Sequence, residues 1–156
     1  MDTPSPVPVS YAKLGYISHA FQRWRTSSLP VREVVERLRS AIEAAGFWNL
    51  QEIDPQTVLS RAGYAIEPAR QLFFFHPRYV VRLLGADPAA MLEAPLKFTV
   101  LGLPGGMVSV RWVDPIASLA RYENRALEDL GHELSAACEQ IIAASLGPEL
   151  PAGSAG

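Results

Sequence analysis

The sequence predicts an α+β domain in which an antiparallel sheet is packed on one face by two amphipathic helices, a two-layer sandwich. Three observations carry this expectation. Val31, Val34, Val35, Leu38 and Ile42 recur at helical spacing and form one apolar stripe. Leu127, Leu130, Leu134, Cys138, Ile141 and Ile142 form a second stripe near the C-terminus. Between them, residues 96–113 read as a β-hairpin about a glycine-rich loop. A chain of 156 residues with 49% hydrophobic residues is long enough and apolar enough to bury a core.

The elements follow in order. Residues 1–18 are rich in Pro and Ser and read as a partly disordered extension, with Tyr11, Leu14, Tyr16 and Ile17 available to add an edge strand or to pack on the surface. The domain proper spans 19–146, and 147–156, built from Gly, Pro and Ala, reads as a flexible tail. Residues 20–26 alternate weakly and predict a strand. Ser27-Ser28 then offers an N-cap, with Pro30 in the first turn of the first helix and Gly46 at its end. Residues 47–53 predict a second strand. Asp54-Pro55 starts a short helix by pairing a capping carboxylate with a proline whose missing N–H is not needed there. The same device recurs at Asp87-Pro88 and Asp114-Pro115, and in a poorer form at His76-Pro77. Residues 71–75 are aromatic and read as a strand buried on both faces. The final helix spans about 124–145 and stops at Gly147-Pro148.

In the hairpin, strands 96–101 and 107–113 flank a five-residue loop, 102–106. Centring the loop on Pro104 sets Leu96 opposite Trp112, Phe98 opposite Val110 and Val100 opposite Val108, an apolar core face. The other face then sets Lys97 opposite Arg111, Thr99 opposite Ser109 and Leu101 opposite Met107.

The chain resembles the domain-of-unknown-function 302 family. The residues that carry the resemblance are, in order, Gly46-Phe47 after a helix, Glu52-Ile53-Asp54, Phe74-Phe75-His76-Pro77, Ala94-Pro95-Leu96-Lys97, and a glycine turn followed by a strand ending at Asp114-Pro115. The similarity covers roughly residues 21–144. It implies a TBP-like fold with a curved antiparallel sheet backed by helices, and self-association as a homodimer; it implies no agreed reaction. The chain departs from the family pattern at Phe75-His76, where a small residue, typically Asn after Gly, is expected before the proline.

Candidate ligand-binding residues are His76, Arg78, Lys97 and Arg111. Lys97 and Arg111, placed across a strand pair, repel, and a bound anion would offset that repulsion; a solvated face or a salt bridge to a neighbouring subunit would do so too. His76 ends a strand just before a helix start, a position where anions are attracted, with Arg78 and Tyr79 after it. The plainer reading is a histidine that bonds locally. Glu128 and His132 share a helix face but lack further metal ligands, and His19 has no evident partner. Cys138 lies in an apolar stripe and reads as an inert buried thiol. The three Asp-Pro carboxylates are explained by capping, and the 102–106 loop joins two strands instead of opening a helix as a phosphate loop would.

With 14 basic and 16 acidic residues and a net charge of −2, the composition has no footprint for nucleic acid or an acidic membrane. A single cysteine rules out an internal disulfide, and neither a secretory leader nor an apolar membrane span is visible, so the expected location is the cytoplasm. The functional expectation is a domain without cofactor or metal that binds a small molecule or a protein partner without catalysis. One alternative is an enzyme using His76 with Lys97 or Arg111 on a small anionic substrate. Another is a pure protein-interaction module.

Overall fold

The computed structural model describes residues 3–12 and 19–147. The chain runs β1 (Val7–Pro8), β2 (Gln22–Ser27), α1 (Val31–Ala44), β3 (Trp48–Ile53), α2 (Pro55–Arg61), β4 (Tyr64–Ala65), β5 (Ala69–Phe75) and α3 (Pro77–Ala86). A 3-10 helix (Pro88–Glu93) leads to β6 (Leu96–Gly102), β7 (Val108–Val113), α4 (Pro115–Ala120) and α5 (Arg125–Leu146). Five strands form an open sheet in the order β2-β7-β6-β5-β3, antiparallel throughout. The α+β class and the five long strands are as the hydrophobic pattern predicts. The pattern does not reveal β1 and β4, which pair in parallel through two residues each. Their contacts are mostly backbone, with Val7 and Val9 N–H groups donating to Gly63 and Ala65. The extension therefore adds a strand at Val7–Pro8, upstream of Tyr11; Leu14, Tyr16 and Ile17, also expected to contribute, lie outside the described residues. The 148–156 part of the tail lies outside the described residues.

Both predicted helical stripes face the sheet. Val34, Leu38 and Ile42 of α1 and Leu127, Ile141 and Ile142 of α5 are fully buried against Leu72, Phe74, Phe98, Val100 and Val110. Burying side chains of this size stabilises by roughly 1.5–3 kcal/mol each. Phe98 sits at the centre, 4.6 Å from the Phe74 ring and 5.5 Å from Trp112.

The three Asp-Pro devices cap as expected: Asp54, Asp87 and Asp114 accept from the backbone N–H groups of Thr57, Ala89 and Ile116. Three other expectations are corrected. Pro30 itself is the N-cap of α1 and no side chain caps it. Ser27 is still paired with Val108 in the sheet, too far upstream, and its hydroxyl accepts from the Leu29 N–H instead. Strand β5 is not buried on both faces. Leu72 and Phe74 enter the core, while Phe73 and Phe75 are only half-buried on the opposite face, because the core helices stack on one side.

The third correction concerns the hairpin. Its register pairs Thr99 with Arg111, Val100 with Val110, Leu101 with Ser109 and Gly102 with Val108. Lys97 is therefore not opposite Arg111. The turn is tighter than a five-residue loop. Leu103 N–H donates to the Met107 carbonyl at 2.8 Å, and Gly106 N–H to the Leu103 carbonyl at 3.1 Å. Pro104 and Gly105 occupy the two central positions, and Gly105 has φ +98°, which a side chain resists there. The slip is by two residues, so each side chain keeps its predicted face.

Candidate functional site

The corrected register exposes a feature at the far end of the hairpin. The β6–β7 ladder stops at Thr99–Arg111, although both strands run on. Strand β6 extends back to Leu96 because β5 holds it, with Phe74 opposite Leu96. Strand β7 extends to Val113 because β2 holds it, with Gln22 opposite Val113. Each strand follows its outer neighbour, and the sheet parts between them.

A cavity of about 300 Å³ occupies this parting. Gln22, Lys97, Thr99 and Arg111 line it from the strands, on the face away from the core. Ser118 of α4 and the buried Phe74, Trp112 and Cys138 border it on the inner side, and the exposed apolar side chains Leu92, Pro95 and Val113 border its opening. The cavity lies within the size range of small-ligand sites.

Its two cations differ: Lys97 is exposed to solvent, while Arg111 is partly buried. Arg111 Nη1 donates to Gln22 Oε1 at 3.1 Å, and the guanidinium lies 5.4 Å over the Trp24 ring. Its Nε is buried and has no hydrogen-bond partner among the described residues. Lys97 Nζ lies 5.8 Å over the Phe73 ring. Neither cation has a carboxylate partner among the described residues, whereas Arg23, Arg70, Arg82 and Arg121 all do. The one carboxylate lining the cavity, Glu93, is already bound by Arg121 and accepts from the Tyr122 hydroxyl at 3.0 Å. Cys138 is 1% exposed, and burial pushes its thiol up to about 12, so the inner side carries no charge there.

His76 lines a separate cavity of about 30 Å³, room for about one water. It shares Glu93, Leu96 and Ser118 with the larger one, but not Lys97 or Arg111. His76 is the N-cap of α3, and its Nδ1 accepts from the Arg78 N–H at 3.2 Å. Its ring meets Phe47 and Tyr79 edge-on at 5.3 and 5.0 Å. Arg78 is exposed, stands 5.4 Å over the Tyr79 ring and lines neither cavity. The structure thus joins Lys97 with Arg111 and sets His76 and Arg78 apart from them. Gln22, Thr99, Ser118 and Trp112 complete the larger site. Of these, Thr99 is readable from alternation with Lys97, while Gln22 and Ser118 arrive through tertiary structure and leave no local signal.

Among the described residues, no three His, Cys, Asp or Glu side chains come together as a metal site, and no helix is long and apolar enough to cross a membrane. His132 is exposed on α5, and His19 is exposed beside Phe21.

Fold and site together define an open-faced two-layer α+β domain with a cleft in its sheet lined by both polar and apolar side chains. The model of the family described as "Domain of unknown function DUF302" matches residues 24–145, and the chain belongs to that family. A solved structure described as an uncharacterized conserved protein DUF302 from Bacillus stearothermophilus superposes with a TM-score of 0.72. It shares 19% identity over 81% of this chain and 97% of its own, which establishes a common fold. No curated protein matches the chain.

Proposed function

We propose that this protein is a non-catalytic binding domain whose ligand is a small anion, held by Arg111 and Lys97 in the parted-strand cavity. The observation that supports this reading is the Arg111 guanidinium: partly buried, bonded to a neutral amide, and with an Nε that has no partner among the described residues. A buried unmet donor costs about 1–3 kcal/mol, more on a charged group, and an anion in the cavity would offset that. The catalytic alternative has less support, because His76 spends Nδ1 on its helix cap and lines a different cavity.

The test is a thermal-shift and calorimetric screen of small carboxylates, phosphates and sulfates. A genuine ligand at a hundredfold excess over its Kd stabilises by about 2.7 kcal/mol. Arg111→Gln abolishes the response and Lys97→Gln weakens it. A panel in which no anion shifts the melting temperature overturns the reading.

The homodimer implied by the family resemblance has a suitable surface in α3 and the 3-10 helix. Val81, Leu84, Met91 and Leu92 are all exposed there, Leu92 at 85%. Sedimentation equilibrium of the wild type and of Leu92→Glu checks it: a dimer weakened by the substitution supports that surface, and a concentration-independent monomer removes it.

A further inference from the structure

We infer that the anion held at Arg111 and Lys97 is the backbone phosphate of a single-stranded nucleic acid, whose bases stack on aromatic side chains of the outer sheet face. This rests on the anion-binding reading above and names the class of ligand. The strand pairings sort the side chains by face. Trp24 stands opposite Arg111 across β2 and β7, Lys97 opposite Phe73 across β6 and β5, and Phe75 opposite Trp48 across β5 and β3. All six point away from the core, which the alternating positions enter, among them Phe74, Phe98 and Trp112. Trp48 is 60% exposed and Trp24 37%, while Phe73 and Phe75 are half-buried. The acids near the sheet lie on its other side. Glu52 is in register with the core residue Leu72 and is bound by Arg39 of α1, and Glu139 of α5 pairs with Arg25. No outward position of the five described strands is acidic. The net charge of −2 averages over the whole chain and conceals a face whose only charged side chains are two cations.

Rings and cations together, without an acid, fit a polyanion that carries planar groups. Each cation lies beside a ring: the Arg111 guanidinium is 5.4 Å from the centre of Trp24, and Lys97 Nζ is 5.8 Å from that of Phe73. A phosphate and its base are therefore met together. A small anion by itself satisfies the cations and leaves Trp24 and Trp48 in water. A second copy packed face to face brings its own Lys97 and Arg111 against these, with no acid on either face to meet them. In a single strand, phosphates and bases alternate, and every base has a face that stacks. Open four-stranded sheets that bind RNA hold two or three bases on aromatic side chains in this way. Here the rings span β2 to β3, the two edges of a five-stranded sheet. At about 4.8 Å between strands that is roughly 19 Å, room for a few extended nucleotides. A duplex keeps its bases paired inside and gives the rings nothing to stack on.

The experiment is fluorescence anisotropy of labelled oligothymidylates of increasing length with wild-type protein, with a duplex and polyglutamate as competitors. The expected affinity rises over the first few nucleotides and then levels off, and both competitors are weak. Log affinity falls against log salt with a slope of about −1.4, since a single strand contributes about 0.7 per phosphate neutralised and the face has two cations. Lys97→Gln brings the slope to about −0.7. Trp48→Ala, exposed and outside the cavity lining, lowers oligonucleotide affinity by about five- to a hundredfold, the range that one stacked base contributes. It leaves stabilisation by a small anion unchanged. Stabilisation by small anions without oligonucleotide binding overturns the nucleic acid and leaves the anion site standing. Duplex or polyglutamate competing as well as the single strand overturns base stacking, and with it the inference. No binding by small anion or oligonucleotide overturns both. The wild-type length and salt series decide the question even if a variant fails to fold.

Discussion

The two ends of the β6–β7 hairpin are built on opposite terms. At the turn end the backbone is closed at every step: the Pro104-Gly105 turn sets the register, the ladder is paired, and Gly102 N–H donates to the Pro68 carbonyl at 2.8 Å. At the other end the same two strands separate, each kept by its outer neighbour, and the side chains at the parting include a lysine and an arginine that meet no carboxylate among the described residues. One end is organised by hydrogen bonds that consistently agree with the fold. The other keeps unmet bonding capacity facing a cavity. Sites that conflict locally with good packing are where function is expected, because a ligand supplies what the protein leaves out.

The largest effect that would test this contrast belongs to the turn end. A Cβ added at Gly102 would stand 2.9 Å from the Pro68 carbonyl oxygen and 3.4 Å from a Val31 methyl. Backbone must move to admit it, so Gly102→Ala should destabilise by on the order of 1–3 kcal/mol. The midpoint of urea unfolding measures this. Binding in the parted-strand cavity should persist in the folded fraction. An unchanged midpoint would show that the turn end is softer than its hydrogen bonds suggest, and the contrast between the ends would fail.

A smaller effect is expected at the neighbouring cavity. His76→Ala removes the Nδ1 acceptor from the Arg78 N–H and a ring packed on Phe47 and Tyr79. Loss of a helix N-cap costs about 1 kcal/mol. Anion affinity should be unaltered, because His76 does not line the larger cavity. A tenfold loss of affinity without loss of stability would bring His76 back into the site and revive the catalytic reading.

These expectations indicate what was legible in the sequence. The stripes of α1 and α5, the five long strands and the Asp-Pro caps follow from periodicity and local capping chemistry, which act within a few residues. The faces of the hairpin were legible for the same reason: alternation has period two. The register was not. A slip of two residues keeps every face, so the pattern is blind to it, and only the turn hydrogen bonds at Leu103, Gly106 and Met107 decide. The clue that Lys97 and Arg111 belong together came from a pairing that does not exist. They share a cavity for a different reason, because β5 and β2 pull their strands apart. Gln22, 89 residues from Arg111, enters the site only through the β2–β7 pairing. Helical coverage of β5 on one side only was equally invisible, since an all-apolar strand reads alike whether one face or both are covered.

The smallest expected change in stability is the most discriminating. Arg111→Met keeps a long apolar stem and removes the guanidinium. If that guanidinium is present for a ligand, the unliganded fold loses little with it: one bond to Gln22 and one cation–π contact with Trp24. Against these stands the desolvation of an Nε that has no partner among the described residues. The net contribution of a hydrogen bond is about 1 kcal/mol, and an unmet buried donor costs about as much or more. The two nearly cancel, so the unfolding midpoint should stay within about 0.5 kcal/mol of wild type or rise slightly, while anion binding is lost. A drop of more than about 1 kcal/mol in ligand-free protein would mean that Arg111 holds β2 to β7 as a structural strut. The open end of the hairpin would then differ from the closed end only in the kind of bond that fastens it.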